Sequence, residues 1–146
     1  MSELSATATP FIASYILLKR GPTVAFVLRK NTGWMDDYYG LVSGKVEQNE
    51  DYETAAIREA KEEAGVVIAP KDLKFVHIQH RRQESDWVDV YFEADAWKGE
   101  PFNAEPDKHS ELVWLDINNL PNNVIPAVVT ALQAITKGQH YSTFGW

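Results

Sequence analysis

The chain has 146 residues, of which 45% are hydrophobic, 12% aromatic and 24% charged. This composition is typical of a soluble globular protein, and the length suits one domain over residues 1–146. A formal net charge of -7 argues against a general affinity for nucleic-acid backbones. The sequence contains no cysteine, which excludes disulfides, thiolate metal sites and thiol nucleophiles.

The N-terminal sequence MSELSATATPF has neither the basic start nor the apolar run of a signal peptide. Nowhere in the sequence do about 18 apolar residues follow one another. We therefore expect a cytoplasmic protein that does not bind membranes. The oligomeric state is left open, a homodimer included.

The first half of the chain predicts two strands and a helix. FIASYILL (11–18) and TVAFVLR (23–29) are rich in β-branched and aromatic residues, with a Gly-Pro turn between them. A polar and aromatic loop, KNTGWMDDYY, leads to a short extended piece over 40–42. A helix then begins at a cap, Asn49 or Asp51, continues to Ala64 and ends at Gly65.

The second half predicts three strands and a second helix. LKFVHIQHRR (73–82) and WVDVYFEADAW (87–97) are two strands joined by QESD, and LVWL (112–115) is a short third strand. VIPAVVTALQAITKG (124–138) has the apolar spacing of a helix, and the aromatic tail YSTFGW has no predicted element. The order of elements predicts an α+β domain with a mixed β-sheet between two helices.

The first helix carries a stripe of three carboxylates, Glu59, Glu62 and Glu63, because residues three and four apart are neighbours on a helix. The stripe borders an apolar sector formed by Ala56, Ile57, Ala60 and Ala64. Three polar residues are predicted to face the opposite side: Thr54, Arg58 and Lys61. Like charges at the edge of a core repel one another, so something must compensate. A divalent cation would do so, and oxygen ligands alone favour Mg²⁺ or Mn²⁺ over zinc.

The carboxylates belong to a longer pattern between Gly44 and Val66. It reads Gly44, five residues, Glu50, seven residues, then REAKEEAGV, in which one residue separates Glu62 and Glu63 from Gly65 and an apolar Val66 ends the pattern. This pattern resembles the complete Nudix box of the MutT-like Nudix hydrolases. The preceding GLVSGKVE also resembles the family's lead-in, except that Val-Ser stands where Pro-Gly or Pro-Ala is common.

The resemblance implies the Nudix fold, with a mixed sheet sandwiched between helices, and a metal-dependent pyrophosphohydrolase. Such enzymes cleave a nucleoside diphosphate linked to another group by attack of water at phosphorus. The resemblance makes Glu62 and Glu63 metal ligands, and makes Glu59 either a ligand or the base that takes a proton from water. Ser43 would offer its backbone carbonyl to the Mg²⁺ or Mn²⁺ ion. Glu105 resembles the additional acidic ligand that many members supply from a late loop, with an ordinary loop charge as the equal alternative.

Further residues receive roles from the same resemblance. Arg58, within the catalytic motif, would pair with Glu50 and hold the preceding loop to the helix, rather than contact phosphate. Four cations are candidates to bind phosphates, with a surface position as the alternative for each: Arg29, Lys45, Arg81 and Arg82. Asn123 lies near where triphosphatases of the family read a purine edge. Four aromatic residues are candidates to stack on a base, with burial as the alternative: Trp34, Tyr38, Tyr39 and Phe92. His77 and His80 are expected to be structural.

A nucleoside triphosphate is the preferred substrate, because the chain has little length beyond the family's core elements for larger ligands. The alternative is a Nudix-fold module that binds a nucleotide or a regulatory partner without turnover. Such modules usually lose motif acids, and all three are present here. An isopentenyl diphosphate isomerase shares the fold but depends on a cysteine, which this chain lacks.

Overall fold

The structure is a computed structural model that describes residues 6–146, so the first five residues of the predicted domain lie outside it. The described residues form seven strands and two α-helices, together with a 3₁₀ turn at Pro70–Asp72. The strands are β1 (Phe11–Arg20), β2 (Thr23–Arg29), β3 (Tyr39–Lys45), β4 (Lys74–Gln83), β5 (Ser85–Ala94), β6 (His109–Asp116) and β7 (Tyr141–Phe144). The helices are α1 (Tyr52–Ala64) and α2 (Pro126–Thr136).

The seven strands form one mixed sheet in the order β6-β2-β3-β1-β5-β4-β7. Strand β1 is central: it runs parallel to β5, with Phe11 opposite Trp87, and antiparallel to β3, with Tyr15 opposite Ser43. Strands β4 and β5 form an antiparallel hairpin, in which Arg81 is opposite Trp87. Residues opposite one another point to the same face of a sheet, so these side chains share one face.

A helix covers each face of the sheet. Alternation along β1 sends Ile16 and Leu18 to one face, where they pack with the alanines of α1, and sends Leu17 to the other face, where it packs with α2. Both clusters are built from buried hydrophobic residues of several strands. The predicted α+β fold, a mixed sheet between helices, is confirmed.

Both ends of α1 are determined by local side-chain and backbone chemistry. Asp51, rather than Asn49, is the N-cap, and its carboxylate accepts a hydrogen bond from the N–H of Thr54 at 2.8 Å. Gly65 ends the helix with a φ of 70°, a left-handed conformation that disfavours other residues. A Cβ atom on Gly65 would also collide with the ring of Phe102. The helix therefore ends where the sequence predicts.

The sheet is larger than the sequence predicts. The extended piece at 40–42 is part of β3, and LVWL is the centre of β6. The aromatic tail, for which no element was predicted, forms β7, which pairs in parallel with β4 from Ile78 opposite Tyr141. Its partner strand is far away in sequence, so local patterns do not show the pairing.

Neither helix among residues 6–146 is long and apolar enough to cross a lipid bilayer.

Candidate active site

Helix α1 places two carboxylates against the backbone of β3. Glu63 Oε1 accepts a hydrogen bond from the N–H of Ser43 at 3.0 Å. The carboxylate of Glu59 lies against Gly44, where the Cβ of any other residue would overlap it. Glu59 and Glu63 are 8% and 9% exposed, whereas Glu62 is exposed to solvent. The carboxylate stripe thus borders the core as the helical spacing predicts, with Glu62 on its outer side.

Burial raises the pKa of Glu59 and of Glu63 and so disfavours their ionised forms. It raises the pKa of Glu59 to about 7, although Arg58 acts in the opposite direction. Burial also raises the pKa of Glu63 well above its usual range, although the hydrogen bond from Ser43 opposes this. The charge of Glu105 raises the pKa of both residues further. The late loop is joined to α1 by a hydrogen bond from the N–H of Ala104, next to Glu105, to the carbonyl of Glu63 at 3.1 Å.

The prediction that Arg58 faces away from the carboxylates is wrong. Its Nη1 donates hydrogen bonds to Glu59 Oε1 at 2.6 Å and to Glu62 Oε1 at 3.1 Å. Its Nε and Nη2 donate to Glu50 at 3.1 and 2.7 Å, so the predicted pair of loop and helix is also present. The helical wheel gives only the direction of the Cα–Cβ bond, and a long flexible side chain can curve back towards nearby charge. The guanidinium thus joins the loop to the carboxylate stripe.

The residues of this site suit a hard divalent cation. Within residues 6–146, no three acidic or histidine side chains stand in an arrangement that would hold a metal ion, and Arg58 lies between Glu59 and Glu62. The available donors are nevertheless all oxygens, and two of the carboxylates are buried beside one another with raised pKa values. A single guanidinium does not balance this concentration of negative charge. Oxygen donors with surplus negative charge are the ligands that Mg²⁺ and Mn²⁺ prefer.

A cleft of about 450 Å³ opens on the face of the sheet that carries α2, and Gly44, which lies against Glu59, is among its lining residues. Its size lies within the range of roughly 300–1,000 Å³ that is usual for small-molecule sites. Phe11 and Trp87, with ring centroids 4.9 Å apart, line it together with Trp34. Gly44 and Lys45 also line the cleft. The cleft therefore combines aromatic side chains with the backbone of Gly44, which lies against the Glu59 carboxylate.

Three of the predicted phosphate-binding cations line this cleft: Lys45, Arg29 and Arg81. The Nζ atom of Lys45 lies 4.8 Å from the ring centroid of Phe11 and 5.5 Å from that of Trp87. The guanidinium of Arg29 lies 5.1 Å from the ring centroid of Trp34 and donates to the Trp34 carbonyl at 2.9 Å. Lys45 and Arg29 thus stand on aromatic rings at the edge of the cleft.

Arg82 does not line the cleft; it is exposed, with its guanidinium 5.1 Å from the ring centroid of Trp146. Arg81 and Asn123 have different surroundings again. Arg81 is 5% exposed, which rules out the surface position considered as its alternative. Its Nε and Nη2 donate to the two carboxylate oxygens of the fully buried Asp89 at 2.7 and 3.2 Å. Asn123 is not among the residues that line the cleft, and its Nδ2 donates to the carbonyl of Asp37 at 3.0 Å. The structure therefore does not bring Asn123 to this cleft.

Of the aromatic and histidine candidates, one lines the cleft and others have partners within the protein. Trp34 lines the cleft, whereas Phe92 is buried in the core and the hydroxyl of Tyr39 donates to Glu111 at 2.9 Å. His77 is buried, with hydrogen-bond partners in the chain segment that leads into β7. His80 packs edge-on against the ring of Trp146. Both histidines thus have structural surroundings, as predicted.

Sequence reasoning missed seven residues that line the cleft: Phe11, Ala13, Tyr15, Gln83, Glu84, Ser85 and Trp87. A signal was present in the two predicted strands of the hairpin. His77, Gln79 and Arg81 recur at every second position of one strand, and Asp89 stands at an inward position of the next. Polar residues that alternate on the buried side of a strand indicate a polar site on that face of the sheet.

The comparisons with known proteins agree with this fold and this motif. The sequence model of the NUDIX domain matches residues 10–134, which is most of the chain. The chain belongs to the Nudix family. Its members are hydrolases that act on the pyrophosphate bonds of nucleoside diphosphate derivatives and bind small nucleotide substrates. The Nudix and MutT-like resemblance of the motif is thereby confirmed.

Individual relatives support the assignment. The uncharacterized Nudix hydrolase YvcI of Bacillus subtilis (strain 168) is 27% identical over 128 residues, which are 84% of this chain and 77% of that protein. The crystal structure of a MutT NUDIX hydrolase from Burkholderia pseudomallei superposes with a TM-score of 0.78 at 27% identity. That superposition covers 86% of this chain and 97% of the other. The solution structure of the E. coli ORF135 protein, at 19% identity, has a TM-score of 0.75 over 89% of this chain and 91% of its own, and shows the same fold.

Proposed function

We propose that this Nudix hydrolase is a metal-dependent pyrophosphohydrolase of nucleoside triphosphates, with Mg²⁺ or Mn²⁺ as its cofactor. The observation that supports the proposal is the contact between the cleft and the carboxylates. The backbone of Gly44 lines the cleft on one side and touches the Glu59 carboxylate on the other. A nucleotide bound in the cleft would therefore reach the Glu59 carboxylate where its phosphates lie against Gly44.

The proposed metal ligands are the carboxylates of Glu59, Glu62, Glu63 and Glu105, together with the backbone carbonyl of Ser43. A bound divalent ion would neutralise phosphate oxygens and stabilise the negative charge that develops in the transition state. The raised pKa values of Glu59 and Glu63 agree with such a role, because a cation would favour their ionised forms.

The remaining charges of the site would position the substrate. The protein has a net charge of -7, so a triphosphate is repelled at long range and needs local cations. Lys45 and Arg29 line the cleft and are proposed to bind the phosphates. Arg58 is proposed to hold the loop of Glu50 to α1 and to keep Glu59 and Glu62 in place, since it bonds all three. Its guanidinium is fully engaged by protein oxygens.

Glu59 retains two proposed roles, metal ligand and general base. Its carboxylate is the one in contact with Gly44, beside the expected position of the phosphates. The variant Glu59→Gln separates the roles when turnover and Mg²⁺ affinity are measured together. A loss of turnover with unchanged Mg²⁺ affinity indicates the base, and a parallel loss of both indicates a ligand.

The test of the proposal is hydrolysis of nucleoside triphosphates, nucleotide sugars, ADP-ribose, dinucleoside polyphosphates and capped RNA with Mg²⁺, Mn²⁺ or EDTA. Phosphate and pyrophosphate are measured separately, so that the products identify the phosphorus that water attacks. We expect metal-dependent turnover of triphosphates. Turnover of another substrate class alone would overturn the triphosphate proposal, and tight nucleotide binding without any turnover would indicate a binding module.

A further inference from the structure

Gln83 ends strand β4 in the wall of the cleft, and its side-chain amide has a determined orientation. Arg81 Nη1 donates a hydrogen bond to Gln83 Oε1 at 3.1 Å. A guanidinium has only donors, so the amide must present its oxygen to Arg81 and direct its NH₂ group elsewhere. The hydrogen bond from Arg81 therefore determines the orientation of the Gln83 amide.

Arg81 is itself rigidly held. Two hydrogen bonds join it to Asp89, whose side chain is fully buried, and its guanidinium lies 4.6 Å from the ring centroid of Trp87. A bidentate pair on neighbouring strands of a sheet leaves the guanidinium little freedom. Asp89, Arg81 and Gln83 thus form a chain of hydrogen bonds that runs from the sheet interior to the cleft.

The NH₂ group of Gln83 has no hydrogen-bond partner among residues 6–146. Phe11 and Trp87 also line the cleft, and the ammonium of Lys45, at the end of a flexible side chain, lies 4.8 and 5.5 Å from their ring centroids. A flat ring that stacks on these two side chains takes the place of this ammonium. If a bound ring presents a hydrogen-bond acceptor to the Gln83 NH₂ group, that group gains a partner. If the ring presents a donor instead, the NH₂ group is left without one.

We propose that Gln83 determines base specificity by selecting nucleobases that present a carbonyl oxygen where others present an amino group. Guanine, hypoxanthine, uracil and thymine carry a carbonyl on the edge that projects away from the sugar, whereas adenine and cytosine carry an amino group there. The amide NH₂ of Gln83 donates to that carbonyl. The inference rests on the proposed function, because it assumes that the nucleoside occupies this cleft.

The test uses two pairs of nucleotides that differ at this edge, ITP with ATP and UTP with CTP. We expect the wild-type protein to have a kcat/KM about 5- to 10-fold higher for ITP and UTP than for their partners, the effect of about one hydrogen bond. Gln83→Ala should remove the preference. Gln83→Glu should reverse it, because one carboxylate oxygen remains with Arg81 and the other accepts from an amino group.

Gln133→Glu is the matched control, since it makes the same chemical change at an exposed position on α2 and should leave the ratios unchanged. Thermal unfolding of each variant shows whether its fold is intact. Equal ratios in wild type, Gln83→Ala and Gln83→Glu would overturn the inference while the proposed function stands.

Equilibrium binding of the monophosphates IMP, AMP, UMP and CMP separates the two proposals. A wild-type preference for IMP and UMP that Gln83→Glu reverses would support the inference even if no triphosphate is hydrolysed. Equal binding of all four by wild type and both variants would overturn it even if triphosphates are hydrolysed. Failure to bind any of the four would overturn the inference, whereas the proposed function is decided by the hydrolysis of triphosphates alone.

Discussion

Two arginines of this protein differ in the number of carboxylates that they contact. Arg81 is buried and faces one carboxylate, Asp89, in a bidentate pair whose charges balance. Arg58 is partly exposed and lies within 4.0 Å of four carboxylates, those of Glu47, Glu50, Glu59 and Glu62. The first arrangement is electrically complete, and the second retains surplus negative charge.

The charge balance around each arginine indicates its role: the balanced pair of Arg81 is structural, and the acidic surroundings of Arg58 suit the binding of a cation. A balanced buried pair gains nothing from an added ion, because its charges already satisfy one another. A cluster in which carboxylates outnumber the cation gains from a divalent ion, which reduces the repulsion. We therefore expect the two arginines to respond differently to substitution, to Mg²⁺ and to salt.

The largest expected effect is on stability, from Asp89→Asn. This change leaves the Arg81 guanidinium buried without its counter-charge and should lower the free energy of unfolding by about 3–5 kcal/mol. Urea denaturation measures the loss. The double variant Arg81→Met, Asp89→Leu removes both charges and should recover most of it. Equal free energies of unfolding for Asp89→Asn and wild type would contradict a stabilising role for the Arg81–Asp89 pair.

The next effect is on turnover, from Glu63→Gln. The amide retains an oxygen for the Ser43 N–H, but loses the charge that is proposed to hold the metal ion. We expect turnover to fall about 100-fold or more, with stability unchanged or increased, because burial opposes the charge of Glu63. Glu62→Gln should reduce turnover in the same way.

Glu53→Gln is the matched control for this prediction, because Glu53 is an exposed carboxylate in the first turn of the same helix. Its turnover should remain close to that of wild type. Near-normal turnover of Glu63→Gln at saturating Mg²⁺ would contradict the proposed metal site.

A smaller effect is expected from Arg58→Gln. Without divalent ions, the loss of the guanidinium should lower the free energy of unfolding by about 1–2 kcal/mol, since its carboxylate partners then repel one another. Saturating Mg²⁺ should restore more stability to this variant than to wild type, because the ion takes over part of the neutralisation.

Thermal unfolding with Mg²⁺ or EDTA measures this difference. Lys61→Gln, which removes an exposed positive charge from the same helix, should show the wild-type response. An identical Mg²⁺ effect on Arg58→Gln and wild type would indicate that the ion does not compensate for the guanidinium.

The smallest effect concerns salt. Raising NaCl from about 0.05 M to about 1 M should reduce the cost of Arg58→Gln by a few tenths of a kcal/mol, because the cluster is partly exposed and screened. The cost of Asp89→Asn should change little, because its pair is buried. Urea denaturation at both concentrations tests the contrast, and an equal salt response of the two variants would remove it.

Much of the candidate site could be predicted from the sequence, because the motif lies on one helix and the strand before it. The spacing of Glu59, Glu62 and Glu63 determines which of them can meet, since helical neighbours recur every three to four residues. The cap at Asp51 and the stop at Gly65 depend on local chemistry in the same way. These features involve residues close together in the chain.

The features that could not be predicted depend on long-range pairing or on side-chain flexibility. Strand β7 forms because the C-terminal tail meets β4 from far along the chain. The course of Arg58 depends on the position of Glu50 in the preceding loop, which a helical wheel does not contain. Gln83 acquires a determined orientation only because β5 brings Asp89 next to Arg81.

The sequence by itself therefore determined the Nudix motif, the helix that carries it and the α+β order of elements, since each follows from local periodicity and spacing. Only the tertiary structure decided which cations reach the cleft, which arginine is buried and what the cleft's walls present to a ligand. Those outcomes depend on the register of strands that are distant in the chain, and register is set by the packing of the whole sheet.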